Sequence, residues 1–61
     1  MTKSELTDIA CEIKIETKAA WLINDGTREV WVPKSQVEME QHSRGAVCTM
    51  PYWLAHEKGL I

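Results

Sequence analysis

The chain has 61 residues, 44% of them hydrophobic, and a formal charge of −2 at pH 7. A chain of this length buries only roughly 60% of the surface its unfolded form exposes, so it makes one domain with a small core. The mild acidity excludes the basic footprint by which a domain grips a phosphate backbone, and the three tryptophans exclude a disordered tail.

The cysteines Cys11 and Cys48 are too few for a secreted disulfide scaffold and are read as small buried hydrophobes. No basic start followed by an apolar segment opens the chain, and the longest apolar run, Ala19 to Ile23, is far short of a bilayer span. The expectation is a cytoplasmic protein without membrane contact.

In chain order, residues 1–8 are polar and aperiodic and are read as a loose N-terminal arm that joins the sheet near Leu6. Ile9, Cys11, Ile13 and Ile15 then alternate with Ala10, Glu12, Lys14 and Glu16, the period of a strand with one wet face. Because the alternation runs on through Trp21 and Ile23, one long strand to Asn24 is expected, with a bend or bulge near Glu16-Thr17-Lys18.

Asn24-Asp25-Gly26 supplies the positive-φ residues of a tight hairpin, and Val30-Trp31-Val32 forms its return strand. Two registers fit. A turn at Asp25-Gly26 sets Trp21 opposite Val30 and Ala19 opposite Val32. A loop of Asn24-Asp25-Gly26 sets Ala19 opposite Trp31 and Ala20 opposite Val30. Both place an alanine across from Trp31.

Pro33 lacks an amide donor and ends the ladder or marks an edge. Lys34-Ser35-Gln36 is a polar corner, Val37 to Glu40 a short strand with Glu38 and Glu40 outward, and 41–45 a polar loop. Ala46 to Met50 is the fourth strand candidate. Pro51 at the first position and Gly59 just past the end bound a helix over 51–58. Such a helix is too short to persist alone, so Trp53 and Leu54, with Tyr52 beside them, are expected to dock on the sheet.

The residue types that carry chemistry form no recognisable set. His42, His56, Cys11 and Cys48 lack the close ligand spacing of zinc sites. Ser35, Ser43 and Cys48 have no motif that brings a base or an oxyanion site, and no Gly-rich phosphate loop is present. Glu38 and Glu40 share a strand face, where charges discourage edge pairing. No catalytic, metal or cofactor residue is therefore assigned, and an enzyme is not expected. Trp21 and Trp53 are assigned to the core. Trp31 divides between core and contact surface, since Val30 and Val32 point to the other face. The candidate partner-binding set is Trp31 with Arg28, Lys34 and Gln36. As a base-stacking platform flanked by cations, it gives the alternative reading of a small nucleic-acid-binding module.

Arg28 to Glu38 (REVWVPKSQVE), preceded by EIKIETKAAWL at 12–22 and followed by MPYWLAHEKGLI at 50–61, resembles a group of very small phage- and prophage-associated proteins. Their shared pattern is an E-T-x-K-A-x-L segment, a D-G turn, a V-W-x-P-K-S-Q segment and a P-x-W-L-A-x-x-K-G-L ending. The resemblance implies a phage-type accessory protein and carries over no functional residue. The expected fold is mainly β, a curled antiparallel meander of three to four strands with a short C-terminal helix. The expected function is a non-enzymatic binding protein that modulates or inhibits a bacterial protein complex such as a defence system; a second copy of the chain is a further candidate partner.

Overall fold

Strand β1, Leu6–Glu16, is the centre of a five-stranded antiparallel sheet of order β3-β2-β1-β5-β4. The computed structural model describes residues 5–61. The other elements are β2 (Ala20–Asn24), β3 (Glu29–Pro33), a 3-10 turn at Lys34–Gln36, β4 (Glu38–His42), β5 (Gly45–Pro51) and helix α1 (Tyr52–Glu57). The expected class holds: mainly β, antiparallel, with one short C-terminal helix. The strands number five, and they are not a simple meander. After β3 the chain returns to lay the β4–β5 hairpin on the far side of β1, so that β5 pairs with β1.

The fifth strand comes from the stretch expected to be one bent strand. Thr17 closes a turn instead of a bend: its amide donates to the Ala20 carbonyl at 2.9 Å, and the Ala20 amide donates to the Thr17 hydroxyl at 3.0 Å. A hydroxyl thus does the work usually signalled by Gly or Pro. The expected N-terminal arm is also shortened. Leu6, Thr7 and Asp8 pair with Pro51, Met50 and Thr49, so only its first residues, 1–4, lie outside the described residues.

Within β1 the register against β2 slips. Glu12 faces Asn24 and Ile13 faces Ile23, but Ile15 faces Leu22 and Glu16 faces Trp21. Residues of a strand alternate between faces, so one extra residue sends everything beyond it to the opposite side. Ile9 and Cys11 are buried, whereas Ile15 is 49% exposed. The bulge therefore lies two residues earlier than expected, and it overturns the reading of the four β1 residues as one buried row.

The β2–β3 hairpin follows neither expected register. Asn24 faces Glu29, Ile23 faces Val30, Leu22 faces Trp31 and Trp21 faces Val32, leaving 25–28 as the loop. The Asp25 carboxylate accepts from the amides of Thr27 and Arg28, each at 2.9 Å, and Asn24 Oδ1 accepts from the Gly26 amide at 2.6 Å. These bonds favour the longer loop over a tight turn. The Arg28 and Thr27 amides hold the Asp25 carboxyl below its usual 3.8, so its support of the loop is present above that pH and fades as pH falls through the lowered value.

One face of the sheet carries the core. Ile9, Cys11, Ile23, Val32, Ala46, Cys48 and Met50 pack with Leu54 and Ala55 of α1, while Ile13, Trp21, Val30, Val37, Met39 and Leu60 border them. Pro51 immediately precedes α1 with an extended ψ of 143°. Beyond the helix, Gly59 adopts φ +77°, its amide donates to the His56 carbonyl, and the Leu60 amide donates to the Ala55 carbonyl. This Schellman ending folds Leu60 back onto the core.

Trp53 is not in the core; it is 53% exposed, and Leu54 with Ala55 docks in its place. At about 100° per residue, a helix that turns Leu54 and Ala55 toward the sheet must turn Trp53 away. Met50→Ala, at a fully buried site, should therefore cost about 2–5 kcal/mol. Trp53→Ala should cost no more than about 1 kcal/mol. Urea midpoints of the two variants check this order.

Candidate functional site

The face of the sheet opposite α1 has no second layer among the described residues. Strand alternation and the pairing register assign its rows. Asp8, Thr49 and Glu38 form one row, and Ala10, Val47 and Glu40 the next. Glu12, Asn24 and Glu29 follow on the β1–β2–β3 side, and then Ile15, Leu22 and Trp31. Cross-strand neighbours stand about 4.5–5.5 Å apart at Cβ, so the last of these rows is a continuous apolar stripe. Trp31 is 43% exposed within it. The bulge in β1 creates the stripe: without the slip, Ile15 would point into the core face and Leu22 and Trp31 would lack an apolar neighbour on β1.

Glu12 and Glu29 stand in the row beside the stripe, and Asp8, Glu38 and Glu40 lie toward the other end of the face. Asn24 Nδ2 donates to Glu29 Oε2 at 3.4 Å, Lys14 Nζ lies 3.2 Å from Glu12 Oε1, and the Thr49 hydroxyl donates to Asp8 Oδ1 at 2.7 Å. Glu38 and Glu40 stand exposed on edge strand β4, with Met39 between them turned to the core. At the edge of the sheet, a depression of about 410 Å³ opens beside the β4–β5 turn, lined by residues of both faces that include Glu12, Ile13, Arg44 and Ala46.

The sequence-based contact set is dispersed. Trp31 lies on the outer face. Lys34 turns to the core side, where its ammonium sits 4.6 Å from the Trp21 ring centre and 2.6 Å from Glu16 Oε2. Arg28 reaches the end of α1, its guanidinium within 2.6 Å of where a Cβ on Gly59 would stand. Gln36 is exposed in the 3-10 turn. Sequence reasoning placed Trp31 between two roles and assigned no contact role to Ile15, Leu22 or Asp8. The alternation of Leu22 with Trp21 and Ile23 was a usable signal for a second apolar face; the position of Ile15 was not, because only the bulge puts it there.

Among the described residues, no group of three or more His, Cys, Asp or Glu side chains converges to hold a metal ion. Cys11 and Cys48 are free and buried. Burial is the main cause that raises both thiols, with the Asp25 charge adding at Cys11 and the neighbouring Cys11 adding at Cys48, which is pushed up to about 12. Neither is therefore a thiolate near neutral pH, so neither has the character of a nucleophile.

That shift has a consequence for stability. Between 9.0 and about 12 the unfolded chain releases the Cys48 proton while the folded chain keeps it. The stability contribution is therefore whole below 9.0 and is lost as pH rises toward 12. Urea midpoints should fall across that window, and more gently in Cys48→Ala. Parallel slopes in the two proteins would contradict this assignment.

Comparison of the chain with protein-family models, with curated proteins and with solved structures returned no match.

Proposed function

We propose that this chain is a small non-enzymatic binding protein of phage-accessory type, which acts in the bacterial cytoplasm by modulating or inhibiting a protein complex such as a defence system. The observation that carries the reading is the uncovered sheet face with Ile15, Leu22 and Trp31 in one cross-strand row. Exposed apolar stripes rimmed by polar residues mark interaction sites, and tryptophan is enriched among residues that dominate binding energy. The V-W-V-P-K-S-Q segment and the P-Y-W-L-A-H-E-K-G-L ending add the phage context through their resemblance to small phage-associated proteins. Residues that would suggest catalysis are buried thiols and scattered surface groups.

A nucleic-acid module built on Trp31 is the weaker alternative. The cations it would need, Lys34 and Arg28, are directed to Glu16 with Trp21 and to the end of α1, and the neighbour of Trp31 on the same face of β3 is Glu29.

Affinity capture from lysates of several bacterial hosts, with wild-type chain and Trp31→Ala side by side, tests the proposal. The wild type should enrich a host protein, and Trp31→Ala should lose at least about tenfold of that enrichment, as expected for a hot spot of about 2 kcal/mol or more. Enrichment of no protein in any host would contradict it.

A further inference from the structure

We infer that the outer edge of β3 pairs with the same edge of a second copy of this chain, antiparallel and centred on Trp31, to give one continuous sheet. The pairing uses the backbone of β3 and does not depend on the host partner proposed above.

β3 ends the sheet on its side. The direction of its backbone groups follows from the bonds at its two ends. The Asp25 amide donates to the Arg28 carbonyl at 3.2 Å, and the Lys34 amide donates to the Ala19 carbonyl at 2.8 Å. Arg28 and Lys34 therefore turn their backbone toward β2, and the register between them is unbroken. Successive residues of a strand bond to opposite sides. Val30 and Val32 thus also bond β2, while Glu29, Trp31 and Pro33 turn their backbone groups outward. No backbone bond from another described segment reaches those groups.

The edge is self-complementary. It reads Glu29-Val30-Trp31-Val32-Pro33, with a valine on each side of the tryptophan. An antiparallel copy with its two-fold axis at Trp31 sets Trp31 opposite Trp31 and each Val30 opposite Val32. The Trp31 amides and carbonyls then bond each other, and each Glu29 amide meets the Pro33 carbonyl of the other copy. Pro33 brings no donor of its own, so its end of the edge leaves no amide stranded. Glu29 faces proline rather than a second carboxylate, and like charges directly opposite would be destabilising. Past the strand ends, Arg28 and Lys34 turn to the end of α1 and to Glu16, which holds their charges away from the shared edge. The edge of β4 lacks this fit, since two copies paired about its centre would set Glu40 against Glu40. Charges discourage edge pairing, and the middle of β3 carries none.

Opposite residues of an antiparallel pair share a face, so the row of Ile15, Leu22 and Trp31 continues across the axis into the same row of the second copy. Such a two-fold contact closes on itself and stops at a dimer. An edge of five residues supplies less than the roughly 800 Å² per partner of a standard interface, so monomer and dimer exchange as concentration changes.

Sedimentation velocity from about 10 μM to about 1 mM should show the mean mass rising from one chain toward two. In a mixture of labelled and unlabelled chain, isotope-filtered NMR should show a contact between the Hα protons of Val30 in one molecule and Val32 in the other, as their close, non-hydrogen-bonded pairing requires. A synthetic chain with an N-methylated Trp31 amide keeps the indole and loses only the outward donor, so it should fold as wild type and stay monomeric. Trp31→Lys, which serves if that chain does not fold, sets like charges at the axis and should weaken dimerisation about tenfold or more. A wild type that stays monomeric at the highest concentration overturns the inference. So does a dimer without the Val30–Val32 contact, or one that N-methylation leaves intact. A monomer whose Glu29 and Trp31 amides shift on addition of an alternating Thr–Val peptide gives the edge to a foreign strand and removes the second copy as its occupant. Capture of a host protein is read separately, and its failure leaves the dimer standing.

Discussion

Everything in this fold depends on β1 having partners on both sides. Its first half, to Cys11, pairs with β5 and its second half, from Glu12, with β2, so the two pairings meet between Cys11 and Glu12. A lone hairpin of this size is marginal in water. Here two hairpins are joined through one shared strand, whose first half is paired along one edge and whose second half along the other. The core follows from the same arrangement. Ile9 and Cys11 on β1 meet Cys48 and Ala46 on β5, while Ile23 and Val32 come from the other side, so that Leu54 and Ala55 of a helix of six residues suffice to close it.

The constraint that shapes the site is that the described residues provide one helix for two sheet faces. Among the described residues one face is covered and the other is left to water or to a partner. On most of the open face the strands show the polar members expected next to water: Asp8, Glu12, Glu38 and Glu40. Beyond Leu6, Ala10 and Val47, the apolar members of this face gather in the row of Ile15, Leu22 and Trp31. Its existence traces to a single irregularity, the slip between Ile13 and Ile15, which removes Ile15 from a core row where its side chain type belongs. Bulges that re-aim a side chain are commonly retained for a purpose, and here the re-aimed side chain completes an apolar stripe.

Much of this was legible in the residues. The alternation at Ile9–Ile13 marked a half-wet strand, Pro33 ended β3, the two glutamates of β4 faced outward, and Gly59 closed the helix, its amide on the His56 carbonyl. The first turn was not legible, because Thr17 closes it with a hydroxyl in a stretch with neither Gly nor Pro. Nor was the hairpin register, which the Asp25 carboxylate decides through bonds to Thr27 and Arg28. The placement of β5 against β1 is a long-range choice that local pattern does not encode. Trp53 was misassigned because two helical turns offer too few positions to define an apolar side, and the pair Leu54-Ala55 was as good a candidate as Trp53-Leu54. For the site, Trp31 was visible as a residue without an assigned side, while Ile15 was hidden behind an alternation that continues past the bulge.

The direct measurement is the set of nuclear Overhauser contacts of the Trp31 indole. The account predicts contacts to the methyl groups of Leu22 and Ile15 and none to Met50, Leu54 or Ile23, together with backbone contacts that join Ile9 to Cys48 and Ile13 to Ile23 within the same molecule. Indole contacts to Met50 or Leu54, or a β1 strand with backbone contacts along one edge only, would contradict it.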